Sequence, residues 1–199
     1  MTRVIATIGY EGSTIERFIA TLRHASIDVL IDVRDVPLSR KKGFSKNGLA
    51  QILDDANIEY VHLKGLGDPK DGRDAARAGE YDLFQKIFSR HMRTEIALRD
   101  LVIAADIVMA RHACLMCFEC HHSKCHRSIV AERLAQMTGL TIAPLTVQDG
   151  RVGGAPSAPV LCRSLAGSGC CSPCVSRADI STNILSAGWL SGAKPFARQ

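Results

Sequence analysis

Alternation constrains this chain more than any other feature. Strand-like apolar runs occupy residues 3–9, 27–34, 58–63, 113–119 and 140–147. Between them apolar residues recur at helical spacing. Ile15, Phe18, Ile19 and Leu22 mark one helix, with Ser13 as its expected N-cap. Leu49, Ile52 and Leu53 mark a second. Residues 80–106 read as two helices, the first carrying Phe84, Ile87 and Phe88, the second Ile96, Leu98, Leu101 and Val102. Residues 128–137 form the next, closed by Gly139 as C-cap. Gly65, Gly67 and Pro69 read as a loop after the third strand, and residues 37–46 as another after the second. Strands alternating with helices predict a three-layer α/β/α domain with a mainly parallel sheet. Right-handed crossovers then bring every strand's C-terminal end to one edge, where such sheets bind ligands.

The pattern stops near residue 147. Residues 1–147 are expected to form the domain, and residues 148–199, rich in Gly, Ser and Cys, a weakly structured tail. The hydrophobic share of 46% supplies a core for a domain of this size. No apolar run reaches the ~18 residues of a membrane span, and the N-terminus does not read as a signal peptide. The expected location is therefore the cytoplasm, with no membrane partner. The net charge is +5, and +3 of it falls in residues 148–199. The remaining +2 is too weak to argue nucleic-acid binding. Aromatic residues at 5% offer no evident stacking platform for a single strand. The basic loop 39–46 reads as a solvated surface that could also meet a phosphate-bearing ligand.

Eight cysteines form two clusters: Cys114, Cys117, Cys120 and Cys125, and Cys162, Cys170, Cys171 and Cys174. In a reducing compartment such clusters point to metal binding or reactive thiols rather than to disulfides. The tail cluster reads as redox-exposed thiols. The first cluster lies where a strand gives way to a helix, and other polar residues arrive at the same edge. Gly9 and Tyr10 follow the first strand, Asp32 and Arg34 end the second, and His62 ends the third. Cys117 and Glu119 end the fourth, and Cys125, His126, Arg127 and Ser128 lead into the helix. A thiol near a helix N-terminus beside His126 and Arg127 favours thiolate, and the same surroundings favour a bound anion. The expected site therefore has Cys125 as nucleophile, with Glu119, Asp32 and His62 as further catalytic groups and Arg34 and Arg127 as anion clamps. Its ligand is a small anionic, phosphate-bearing or nucleotide-like molecule. The alternative is a non-catalytic protein that binds nucleic acid or holds zinc or iron through Cys120, His121 or His122, and Cys125. Cys114 and Cys117, three apart in a strand, point to opposite faces and cannot easily share that ion.

These residues, read as ordered motifs, resemble a known family. Ile8-Gly9-Tyr10, the run from Ile31-Asp32-Val33-Arg34 through Pro37 to Ser39, Tyr60-Val61-His62-Leu63 with Leu66-Gly67, and Cys117-x-Glu119 with Cys125-His126-Arg127-Ser128 are similar to the family named domain of unknown function 488. The resemblance spans about residues 3–147, and its most specific motif is C-x-E-x5-C-H-R. It implies a compact α/β domain with these residues facing one pocket. It supplies no substrate. The segment Cys120-His-His-Ser-Lys departs from the acidic and proline residues common there, which favours metal somewhat in this member. A looser similarity links residues 30–34 to a rhodanese strand. The Cys-to-Arg spacing does not fit the rhodanese or cysteine phosphatase loop.

Overall fold

The computed structural model describes residues 3–122 and 125–147. The expected tail and its cysteine cluster lie outside the described residues.

Five strands form one wholly parallel sheet: β1 (Val4–Gly9), β2 (Val29–Asp32), β3 (Glu59–His62), β4 (Ala113–Cys117) and β5 (Thr141–Leu145). Their spatial order is β3-β2-β4-β1-β5. The three central strands are buried along nearly their whole length. That burial is why they read as unbroken apolar runs rather than alternating ones. The edge strands β3 and β5 are partly exposed. Pro144 can sit in β5 because an edge strand has one side free of ladder partners.

Helices cover both faces. On one, α1 (Ile15–His24) and α2 (Lys46–Asp54) bury Phe18, Ile19, Leu22, Leu49 and Leu53 against Ala6, Ile8, Leu30, Cys114 and Met116. On the other, α3 (Lys70–Arg77), α4 (Tyr81–His91), α5 (Glu95–Ala110) and α6 (His126–Thr138) cover Ile5, Val29, Ile31, Val33, Leu115 and Cys117. Cys114 and Cys117 thus lie in opposite layers. Among the described residues no helix is long and apolar enough to cross a membrane.

The local structure departs from the sequence reading at three points. Thr14, not Ser13, caps α1, its hydroxyl accepting from the Arg17 amide; the Ser13 hydroxyl donates to the Tyr10 carbonyl at 2.8 Å. The segment after Pro69, to which the sequence pattern assigns no element, forms a helix, α3. The strands are also shorter at their C-terminal ends, so Arg34 and Glu119 stand on the loops beyond. Gly139 does close α6 in the left-handed conformation, at φ 73°.

Candidate functional site

The C-terminal ends of β1, β2 and β4 open onto a cleft of about 1010 Å³. Tyr10 and Arg34 follow β1 and β2, while Cys117, Phe118 and Glu119 end or follow β4. Asp68, Arg73, Arg77, Tyr81 and Phe84 come from the α3–α4 side, and Ser39, Arg40 and Lys41 from the basic loop. Cys125 and His126 close the floor at the start of α6.

The floor is a cluster of three side chains. Cys117 Sγ lies 3.5 Å from His126 Nδ1, and Cys125 Sγ lies 3.8 Å from the same atom. All three are buried, and their donor atoms lie within 4.8 Å of one another. His126 Nε2 is 2.9 Å from the Val33 carbonyl, which can only accept. Nε2 therefore carries a proton, and a neutral ring presents Nδ1 to the thiols as an acceptor. Burial opposes the imidazolium, but Cys125, the Val33 carbonyl and Asp68 outweigh it and hold His126 above its ordinary value.

The surroundings act on the two thiols in opposite directions. The hydrogen bond from Cys125 holds Cys117 below its ordinary value. Burial opposes this, while Arg127 and the amides of Phe118 and Glu119 assist. Cys125 moves the other way, raised by the same hydrogen bond, by burial and by the charge on Cys117. These causes push the Cys117 thiol down and the expected nucleophile Cys125 up. Sequence proximity to the helix favoured Cys125, which is the N-cap residue of α6. The amides that reach a sulfur belong instead to the turn after β4.

Other expected site residues brace this floor. The Arg127 guanidinium, 1% exposed, donates to the carbonyls of Glu119 and Cys120 rather than facing the cleft. It is the strut of the 118–120 turn, which corrects its expected role as an anion clamp. Gly9 is fixed by the same turn, because a Cβ there would collide with the Glu119 carbonyl. Asp32, fully buried, grips Arg34 through both carboxylate oxygens and accepts from Tyr60 at 2.6 Å. Burial is the largest cause raising the Tyr60 phenol, and the Asp32 charge adds to it. Arg34 also donates to the Tyr10 hydroxyl and the Phe44 carbonyl, each at 3.0 Å. Its bonds are spent on the frame, although its side chain still forms cleft wall. His62 bonds the Arg34 carbonyl at 2.8 Å, and Ser128 donates to the Cys125 carbonyl at 2.7 Å. Ser39 lines the cleft and accepts from the Lys41 amide. Tyr10 stacks on Phe44, their centroids 4.4 Å apart.

Glu119 faces solvent at the cleft mouth. Partial burial and the neighbouring Glu11 raise its carboxyl above the usual range. The expected metal set does not assemble: Cys120 and His121 are exposed, and His122 bonds Thr7 Oγ1 at 3.2 Å. Among the described residues, the atoms that could hold one thiophilic ion are those of Cys117, Cys125 and His126 instead.

Sequence reasoning missed Asp68. It is 6% exposed, yet its Oδ1 has no hydrogen-bond partner. Burial raises its carboxyl from the ordinary 3.8 to about 6, against the pull of His126 and Arg73. An unpartnered buried carboxylate on a cleft wall costs stability and is suited to moving protons near neutral pH. Arg73 braces its backbone carbonyl and pairs with Asp35 at 2.7 Å. Gly72 supplies the only local signal, since any side chain there would strike the Asp68 carboxylate.

No curated protein and no solved structure matches the chain. The family model described as domain of unknown function DUF488 matches residues 14–134, more than half of the sequence, and the chain belongs to that family.

Proposed function

We propose that this protein carries out thiol-dependent chemistry on a small anionic, nucleotide-like ligand held in the cleft, with the Cys117 thiolate as nucleophile. The observation that carries this reading is the Cys117–Cys125–His126 cluster at the floor of a cleft whose wall includes the basic residues Arg40 and Lys41. Among the described residues Arg40 and Lys41 line the cleft without a carboxylate partner, whereas Arg34, Arg73 and Arg77 are paired with Asp32, Asp35 and Asp74. Such a wall attracts anions and concentrates them over the floor. Tyr81 and Phe118, both partly exposed at the rim, offer ring faces to a flat ligand. His126 takes or holds the proton between the two thiols, and Asp68, whose charge bears on His126, accepts or donates protons at the cleft wall.

Protection from alkylation tests the ligand class. Iodoacetate, itself an anion, is expected to label Cys117, and millimolar nucleoside monophosphate is expected to slow that labelling at least several-fold. Charge removal at the rim by Arg40→Ala with Arg77→Ala is expected to abolish the protection. Labelling of Cys117 that no nucleotide and no inorganic phosphate slows would refute the ligand class.

A further inference from the structure

Two thiols and one imidazole are more than a simple nucleophilic displacement requires. Cys117 and Cys125 come from different elements, a strand end and a helix cap, yet their sulfurs lie within 4.8 Å of each other and share one histidine nitrogen. Cys125 is 3% exposed and Cys117 4%, but both form cleft floor. A reagent that reaches Cys117 through the cleft therefore arrives with a second thiol already beside the new bond. A lone nucleophile would have no such partner.

From this arrangement we infer that the cleft performs thiol–disulfide exchange, and that its substrate is a small disulfide carrying carboxylate or phosphate groups. The inference rests on the reading of Cys117 as nucleophile and names the substrate class of the same site. Cys117 thiolate attacks one sulfur of the substrate R–S–S–R, forming Cys117–S–S–R and releasing R–S⁻. Cys125 then passes its proton to His126 Nδ1 and attacks Cys117 Sγ. The Cys117–SR bond breaks, and the second R–S⁻ leaves with the proton that His126 holds. Two electrons pass from the two thiols to the substrate. The products are two small thiols and a Cys117–Cys125 disulfide, which a small dithiol reductant returns to the starting state.

The resting geometry suits both steps. His126 has Nε2 fixed on Val33, so its free nitrogen faces the sulfurs and can receive only their proton. The amides of Phe118 and Glu119 and the Arg127 charge bear on Cys117, the sulfur that attacks first. Arg40 and Lys41 on the cleft wall predict a preference for anionic disulfides over neutral ones of equal reactivity.

The full chain is tested with dithiobis(nitrobenzoate), an aromatic disulfide bearing a carboxylate on each ring, and with neutral dithiodipyridine for comparison. Peptide mapping identifies the sulfurs that react, since Cys120 is exposed and also reacts. The expected result is a Cys117–Cys125 disulfide with two nitrothiobenzoates released from this pair. Cys125→Ser should stop at one release and a stable mixed disulfide on Cys117. Unfolding in urea should erase the preference for the anionic reagent. A mixed disulfide that persists on Cys117 in the unaltered protein would overturn the exchange step while leaving the nucleophile intact. Labelling of Cys117 by iodoacetate without any reaction with either disulfide would do the same. Failure of Cys117 with every reagent would overturn the nucleophile reading as well. Reaction only after a chelator is added would assign the cluster to a bound metal and overturn both.

Discussion

Replacing Asp68 by Asn should make the protein more stable at alkaline pH and leave it nearly unchanged in acid. The carboxyl rises from 3.8 in the unfolded chain to about 6 in the cleft. The folded protein thus keeps the proton over a window in which the unfolded chain has lost it. Stability from this group is fully present below 3.8 and is lost as pH rises through about 6. One pH unit of linkage is worth about 1.4 kcal/mol, so the interval sets a ceiling of about 3 kcal/mol. Solvent in the cleft screens part of this, and about 1–2 kcal/mol is the expected gain for Asp68→Asn at pH 8. At pH 4 the two proteins should agree within about 0.5 kcal/mol. The Arg73 contact to the Asp68 backbone carbonyl and the Arg73–Asp35 pair survive the substitution, so the frame is retained. Urea denaturation midpoints at the two pH values measure the difference. A variant less stable than the parent at pH 8, or one offset equally at both pH values, would refute the claim that Asp68 is an unpaired carboxylate kept at a cost to the fold.

Two further substitutions probe the frame beneath the cleft. Gly9→Ala forces a Cβ into the Glu119 carbonyl, so it should cost about 2–4 kcal/mol and slow Cys117 alkylation by displacing the 118–120 turn. Equal stability and equal alkylation rate would contradict the close approach. Asp32→Ala strands the buried Arg34 guanidinium and should cost about 3–5 kcal/mol in urea denaturation. A loss below about 1 kcal/mol would show that Arg34 is satisfied without it.

The sheet was legible because its central strands are buried on both faces and therefore read as continuous apolar runs. The convergence of polar residues on one edge followed from the parallel topology. Helix α3 was not legible. Lys70–Arg77 buries only Gly72 and Ala75, so it carries no apolar stripe to betray its period. Asp68 and Arg73 were lost with it. The division between frame and cleft also escaped the sequence reading, though part of it was within reach. Asp32 and Arg34 are two apart at a strand end, which places them on one side of the chain and within reach of each other. The choice between Cys117 and Cys125 was not within reach. It depends on amides of the turn after β4 and on a proton shared between two elements, and neither follows from helix proximity. The expected metal set is likewise not gathered among the described residues: Cys120 and His121 are exposed, and the one group of close donor atoms is Cys117, Cys125 and His126.

The central claim is that Cys117, not Cys125, carries the thiolate. Its most direct test is the rate of iodoacetamide alkylation at each cysteine between pH 5 and 10, resolved by peptide mapping on the metal-free full chain. The account predicts half-maximal reactivity of Cys117 below the ordinary cysteine value of 9.0, with Cys125 still unreactive there. Cys125 reacting first, or both residues titrating together at or above 9.0, would contradict it.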